Sequence, residues 1–322
     1  MEGRKVSMVI LDGFTNNPGD ISWGPLEHYG ELTVYDRSDD SNWFERAGRA
    51  EVILVNKFVL DRPKLELLDS LRCIIVLATG YNNIDIEACK VRGIKVYNAV
   101  GYGGGSVAQY VMTAILAWQM RIESHAIDVR QGGWSRCPDF SYTLYAGREI
   151  QGMQLGIVGF GKIGQTVGRK AYALGMQVAA YHSHPDRDNQ PWMTMMGWEE
   201  LLRTSDILSL HVPLTQATQY LINKDSLAMM PSHALLINTG RGGLVDEDAL
   251  YSALKEKRIE GAVLDVLAQE PPPLGHPLFT LPNCWITPHM AWTSKEARIR
   301  LIRISGENVG HYLSGEVKNR VV

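Results

Sequence analysis

The chain has only four cysteines in 322 residues, and Cys73, Cys89, Cys137 and Cys284 are scattered with no C-x-x-C pair. That excludes a disulfide framework and the common zinc motifs, so the sequence predicts reduced thiols and no metal site. An excess of one charge is also missing. The net charge is −3 and no run of lysines and arginines stands out, so nothing points to a nucleic-acid or anionic-membrane partner. No apolar stretch approaches the ~20 residues that a membrane-spanning helix needs. The start, Met1-Glu2-Gly3-Arg4-Lys5, runs into the strand-like segment 6–11 without a signal-peptide core, which leads to the expectation of a cytoplasmic protein. Internal repeats and low-complexity tracts are absent as well.

What is present is an ordinary globular composition. With 45% hydrophobic residues the chain has enough apolar material for two domains with their own cores. Short β-branched runs alternate with helical patterns, the signature of parallel sheets. Segments 6–11, 32–35, 52–56, 73–77 and 95–98 read as strands of a first sheet, with a helix over 61–70 opened by Asp61 and Pro63. Segments 154–158, 177–181, 206–210, 234–238, 261–264 and 285–287 read as strands of a second sheet. Gly101-Tyr102-Gly103-Gly104-Gly105 marks a crossing between domains, and Ser106 is placed to cap an apolar helix over 106–122. A second crossing is expected just after His289, before the helical pattern 295–313. The expected domains are therefore 1–101 with 291–322, and 102–290. Val107, Val111, Ala114, Ile115 and Trp118 make more apolar faces than one core contact needs. The helix and the segment to Trp134 are thus the expected homodimer surface, with burial inside one subunit as the alternative.

The most informative motif is Gly159-Phe160-Gly161-Lys162-Ile163-Gly164, which follows the apolar run 155–158 and opens a helical pattern over 162–174. A strand feeding a G-x-G-x-x-G turn into a helix presents unpaired backbone N–H groups and the positive helix end to a pyrophosphate. The second sheet therefore reads as a dinucleotide-binding fold. Open parallel sheets bind ligands beyond the carboxyl ends of their strands. That places His211-Val212-Pro213, after 206–210, and Thr239-Gly240, after 234–238, on the cofactor side.

Three segments beyond later strands carry side chains suited to chemistry. Arg241 follows strand 234–238, and its planar fork grips a carboxylate bidentately and polarises a carbonyl, where a surface ion pair is the plainer reading. Leu264-Asp265-Val266-Leu267-Ala268-Gln269-Glu270-Pro271-Pro272 places carboxylates in a proline-fixed loop. Thr287-Pro288-His289 puts a histidine after the last strand. Histidine gives or takes a proton near neutral pH and a carboxylate on its other nitrogen orients it, which makes His289 and Glu270 an acid–base pair. His28, His125, His233, His276 and His311 read as ordinary loop histidines.

The fingerprint, Asn238-Thr239-Gly240-Arg241-Gly242, Leu264-Asp265-Val266 with Glu270-Pro271, and Thr287-Pro288-His289 resemble the D-isomer-specific 2-hydroxyacid dehydrogenases over essentially the whole chain. The resemblance implies a two-domain α/β fold, with a Rossmann-type nucleotide domain inserted in a flavodoxin-like substrate domain. It implies that Arg241 holds the substrate carboxylate and carbonyl and that His289 is the acid–base. Glu270 would strengthen the hold of His289 on its proton, and Asp265 would help orient a nicotinamide. Within the family, 11–20, Ala78-Thr79-Gly80-Tyr81-Asn82-Asn83-Ile84-Asp85 and His289-Met290-Ala291-Trp292 leading to Glu296-Ala297-Arg298 are most similar to glycerate dehydrogenases, also called hydroxypyruvate reductases. Amides around Ala78, Thr79 and Gly80 are thereby candidates for the substrate carboxylate, a plain strand-to-helix turn being the alternative. Trp292 joins them as a substrate contact.

The pattern breaks at one place. After strand 177–181, where NAD-selective members carry an aspartate for the ribose hydroxyls, the chain reads Tyr181-His182-Ser183-His184-Pro185-Asp186-Arg187. Loss of the acid lifts a barrier to NADP; Ser183 is able to donate to a 2′-phosphate, and His182, His184 or Arg187 to add charge, while Asp186 and Asp188 lie close enough to replace the acid. The expectation is an NAD(P)-dependent enzyme that reduces hydroxypyruvate, and glyoxylate, to the D-hydroxy acid. Phosphoglycerate, D-lactate or branched-keto-acid enzymes of the family, or a non-enzymatic NAD-sensing corepressor, are the alternatives. With the sequence ending at Val322, the expectation is against the phosphoglycerate enzymes that carry a regulatory tail, short forms of which also exist.

Overall fold

The structure, a computed structural model, describes residues 5–322, apart from the side chains of Asp186 and Arg187. It divides into two compact units, one running to Gly103 and resuming over Trp292–Val322, the other Gly104–Ala291.

The first unit is a five-stranded parallel sheet of β1 (Val6–Ile10), β2 (Gly30–Val34), β3 (Val52–Val55), β4 (Cys73–Val76) and β5 (Lys95–Asn98), in the order β2-β1-β3-β4-β5. Every side chain of β3 and β4 is buried, as expected of strands covered on both faces. On one face Val9, Ile53, Val55, Ile74 and Val76 pack among Leu60, Leu65 and Ala88. On the other Met8, Ile10, Leu54 and Ile75 meet Leu26, Ile302 and Val309, the last two from the helix Lys295–Ser314. The helix after Asp61 is shorter than the sequence pattern, Arg62–Glu66: Asp61 caps it through the Lys64 N–H, and from Leu67 the backbone tightens into i→i−3 turns.

The second unit is a seven-stranded parallel sheet of β6 (Gln154–Val158), β7 (Gln177–Tyr181), β8 (Thr194–Met195), β9 (Ile207–Leu210), β10 (Leu235–Asn238), β11 (Gly261–Leu264) and β12 (Cys284–Ile286). Its order is β12-β11-β10-β9-β6-β7-β8, so the strand order reverses beside β6, at whose carboxyl end the glycine fingerprint lies. The two-residue edge strand β8 has too little pattern to be read in advance.

The apolar helix runs Gly104–Met120 and departs from expectation in two ways. Ser106 does not cap it; its hydroxyl donates to the Ala291 carbonyl at 2.7 Å. The helical part of the predicted homodimer face is also interior: Val107, Val111, Ala114, Ile115 and Trp118 are all buried, and the last four pack with Leu155, Ile157, Ile237 and Val263 of the unit's own sheet. Both faces of a parallel sheet need covering, and this helix covers one. Trp118 is so close to β11 that a Cβ on Gly261 would lie 2.2 Å from its ring, and its indole donates to Glu260 at 3.0 Å. Arg121 then takes a left-handed φ of 48° and redirects the chain into a second helix, Ile122–Arg130, which buries no residue. Exposed apolar side chains, already present at Leu116 and Met120 on the first helix, continue there, with Ile122 67%, Trp134 53% and Phe140 91% exposed.

The four cysteines are free, Cys73, Cys89 and Cys284 buried. Among the described residues no helix is long and apolar enough to cross a membrane.

Candidate active site

Each glycine of the fingerprint answers a different contact. Gly159 has φ +94°, and a Cβ there would lie 2.6 Å from the His211 carbonyl oxygen. Gly164 lies against the turn itself, where a Cβ would stand 2.2 Å from the Gly159 oxygen. Gly161, the residue before the helix Lys162–Ala173, has open space where its Cβ would be. A tight turn, an unobstructed approach and close helix–strand packing are what a dinucleotide pyrophosphate asks of such a loop, so these residues fit the group. Lys162 and Ile163 begin the helix, while the Phe160 side chain is wholly buried and leaves only its backbone to the loop.

His211, just past the end of β9, shares a hydrogen bond of 2.9 Å between its Nε2 and Ser209 Oγ, and burial lowers its pKa to about 4, so the ring is neutral. Val212 and Pro213 follow it on the same side, Val212 close enough that its side chain would clash with a Cβ on Gly159. Beyond β7, His182 Nδ1 lies 3.3 Å from Asp188, whose carboxylate also approaches Gln165 Nε2 at 3.5 Å. Ser183 is exposed and bonds His184. The side chains of Asp186 and Arg187, two further candidates there, lie outside those described.

The turn after β10 is tied by a residue whose role the motif alone did not reveal. Asn238, fully buried, accepts the Gly240 N–H at 3.0 Å and donates to the Arg241 carbonyl at 2.9 Å, an Asx-type brace that aims the following side chain. Arg241 donates to the Gly240 carbonyl at 2.8 Å and has no carboxylate partner among the described residues. An unpaired guanidinium at a strand end is free to take an anion. Thr239 Oγ1 beside it is buried with no partner among the described residues.

His289 and Glu270 meet directly, Nδ1 to Oε2 at 2.6 Å, and among the described residues nothing engages His289 Nε2. The histidine has φ 52°, an uncommon conformation for a residue with a Cβ that persists only when its surroundings hold it. Asp265 does the holding. Its carbonyl takes the His289 N–H at 2.8 Å, and its carboxylate takes the N–H groups of Met290 and Ala291, both at 2.8 Å, and the Thr287 hydroxyl at 2.6 Å. Thr287 in turn meets Tyr110 at 2.5 Å, a contact between a helix and a strand end that nothing in the local sequence announces. The resemblance gives Asp265 a nicotinamide to orient; the geometry gives it the His289 backbone, with both carboxylate oxygens already engaged and the residue 1% exposed. Burial pushes its carboxyl up from the usual range, opposed by those same hydrogen bonds.

In the first unit, the carbonyls of the loop after β4 are pinned. Asn16 and Asn56 donate to the Leu77 oxygen, the Ala99 N–H to that of Ala78, and Asn98 to that of Thr79. In a trans peptide N–H points opposite to C=O, so the amides of Thr79 and Gly80 face away from β5. No hydrogen bond within the described residues uses them. The Thr79 hydroxyl is turned inward, to the Ala99 carbonyl at 2.8 Å. Trp292 is half-buried, edge-on to Tyr102 at 5.9 Å. Among the described residues no cluster of His, Cys, Asp or Glu is arranged to hold a metal ion.

A reversed-order parallel sheet with a glycine fingerprint at the reversal, and an arginine and a histidine–glutamate pair beyond neighbouring strands, defines a nucleotide-dependent oxidoreductase. Residues 112–291 match the family described as D-isomer specific 2-hydroxyacid dehydrogenase, NAD binding domain. The chain is 37% identical over 321 residues to a hydroxypyruvate reductase of Blautia hydrogenotrophica, covering 98% of this chain and 99% of that one. It is 40% identical over 279 residues to a glycerate dehydrogenase of Methylorubrum extorquens, covering 86% and 87%. A solved acyclic imino acid reductase in complex with NADPH and D-Arg superposes with a TM-score of 0.83 at 29% identity, covering 98% of this chain and all of that one. The chain belongs to the D-isomer-specific 2-hydroxyacid dehydrogenases, enzymes that use a nicotinamide cofactor.

Proposed function

We propose that the enzyme reduces hydroxypyruvate, and glyoxylate, to D-glycerate and glycolate. The observation that carries the chemistry is the 2.6 Å contact of His289 Nδ1 with Glu270, with Nε2 unengaged among the described residues. Bound in its reduced form, the nicotinamide supplies a hydride to the carbonyl carbon. Protonated His289 gives its Nε2 proton to the carbonyl oxygen, Glu270 keeps the ring oriented and stabilises its charge, and Asp265 fixes the backbone from which the ring projects. Arg241 binds the substrate carboxylate and polarises the carbonyl. The free amides of Thr79 and Gly80 are a further carboxylate-binding element, with Ala78 leading into it. The substrate assignment leans on relatives named hydroxypyruvate reductase and glycerate dehydrogenase.

The cofactor reading is that NADPH is accepted alongside NADH. His182 in place of an acid removes the repulsion a 2′-phosphate meets, while Asp188 at 3.3 Å from it retains an acceptor for ribose hydroxyls. For assembly we propose a homodimer through the second part of the expected surface, the exposed apolar segment that starts at Ile122, and not through the buried helix face.

The deciding experiment follows NADH and NADPH oxidation with hydroxypyruvate, glyoxylate, pyruvate, 3-phosphohydroxypyruvate and a branched 2-keto acid. Hydroxypyruvate should give the highest kcat/KM. A tenfold preference for another acid would displace the substrate, binding of NADH with no turnover would favour a sensor, and a preference for NADH above about a hundredfold would reject the NADPH reading.

A further inference from the structure

Outside the residues assigned to catalysis, Glu247 and His276 form a largely buried pair, Oε2 to Nε2 at 3.2 Å, with His276 9% exposed. An ionised carboxylate only accepts, so the imidazole donates from Nε2. Its Nδ1 is then buried with no partner among the described residues, so His276 is not the satisfied loop histidine its sequence setting suggests.

The other oxygen of Glu247 reaches a different loop. Oε1 accepts the Ala268 N–H at 2.7 Å. The Leu267–Ala268 peptide rests on the backbone just after Arg241, where a Cβ on Gly242 would lie 1.9 Å from the Leu267 carbonyl carbon and 2.2 Å from the Ala268 nitrogen. One residue earlier, the Leu267 N–H donates to Glu270 Oε1 at 3.1 Å, while Glu270 Oε2 takes His289. Two successive amides are thus claimed by two different carboxylates, Leu267 by Glu270 and Ala268 by Glu247.

We infer that Glu247, oriented by His276, is a positioning residue that sets where Glu270 meets His289. It touches neither the histidine nor any group assigned to substrate. It occupies the Ala268 N–H, which would otherwise stand open beside the amide that already holds Glu270 and compete with His289 for Glu270 Oε2. This rests on the acid–base reading of the Glu270–His289 pair.

A double-variant cycle in the full-length enzyme tests it, with Glu247→Ala, Glu270→Gln, the two combined, and Glu247→Gln. Glu247→Ala should lower kcat about 10- to 50-fold, with the NADH Kd from fluorescence titration within about twofold of wild type. Because Glu247 acts through Glu270, the combined variant should be no slower than Glu270→Gln by more than about twofold. Glu247→Gln, whose amide oxygen still accepts from Ala268, should recover most of the loss. If Glu247→Ala does not fold, His276→Leu is read in the same cycle. A crystal structure of the single variant should show Glu270 Oε2 more than about 3.5 Å from His289 Nδ1. Multiplying losses in the combined variant, or Glu270 still bonded to His289 in that structure, would overturn the inference. Wild-type turnover by Glu270→Gln would instead sink the acid–base reading, and the crystallographic distance would then decide the positioning claim alone.

Discussion

Gly161 and Gly164 stand three residues apart in one motif, yet alanine at each should fail for opposite reasons. At Gly161 the backbone is at φ −73°, ψ −164°, which alanine adopts freely, and nothing lies within 4 Å of the added methyl. Folding should hardly notice: losing glycine's freedom in the unfolded chain contributes about 0.4–1 kcal/mol, offset by a similar cost of alanine before a helix. The methyl does, however, occupy the open approach to the helix amides. Holding a pyrophosphate off by one methyl should raise the NADH Kd about 10- to 100-fold, or about 1.4–2.8 kcal/mol. At Gly164 the methyl would start 2.2 Å from the Gly159 oxygen, a contact that only backbone movement relieves. Overpacking of that kind costs about 1–3 kcal/mol, which at roughly 2–4 °C per kcal/mol lowers Tm by about 2–12 °C. Thermal unfolding without cofactor and NADH fluorescence titration separate the two. Gly161→Ala that binds NADH normally, or Gly164→Ala that melts with wild type, would refute the argument from contact distances.

Four further outcomes are expected. His289→Ala should lower kcat at least about 10²-fold with the NADH Kd nearly unchanged; normal turnover by the folded variant removes it from the mechanism. Arg241→Lys keeps the charge and loses the fork, so steady-state KM for the keto acid should rise about tenfold or more with kcat reduced, and an unchanged KM would make Arg241 structural. His211, with a folded pKa of about 4 against 6.5 unfolded, takes up a proton on unfolding between those values. Its stability contribution is therefore intact above pH 6.5 and lost as pH falls, and urea unfolding at pH 7 and 4.5 should differ by about 2–3 kcal/mol more in wild type than in His211→Asn; equal differences refute it. Phe140→Glu should shift a dimer toward monomer in sedimentation at micromolar concentration, and a wild type already monomeric there would reject the homodimer.

The parts of the site that the sequence displays are those whose cause is local. The fingerprint glycines are legible because a missing Cβ, a turn and a helix start fall within six residues, and the contacts at Gly159 and Gly164 are the physical content of that spacing. Arg241, Glu270 and His289 are legible because each follows an apolar strand, and parallel sheets present ligands at those ends. Apart from the Asn238 brace on the Arg241 turn and the Leu267 N–H on Glu270, what holds these residues is not local. The grip of Asp265 on Met290 and Ala291 spans 25 and 26 residues, that of Glu247 on Ala268 spans 21, and Tyr110 meets Thr287 across 177. Single carboxylates and hydroxyls at such separations carry no periodicity to detect.

The long apolar helix shows the same limit from the side of packing. Its composition announces that more than one face must be covered, but not by what, since a sheet of the same subunit and a second subunit select the same residues. Trp118 decides it, because its ring fills the space over Gly261 and leaves no room for a partner's side chain there. The break at Arg121 then becomes interpretable. Its guanidinium stacks on Trp118 at 3.9 Å and lies 4.8 Å from Trp285, which anchors the left-handed residue to the core at the point where the chain departs from it. A helix continued through Arg121 would carry its apolar face on over the sheet. The turn instead sends Ile122 and the residues after it outward, so the uncovered apolar surface that begins with Leu116 and Met120 on the helix is extended by a backbone conformation.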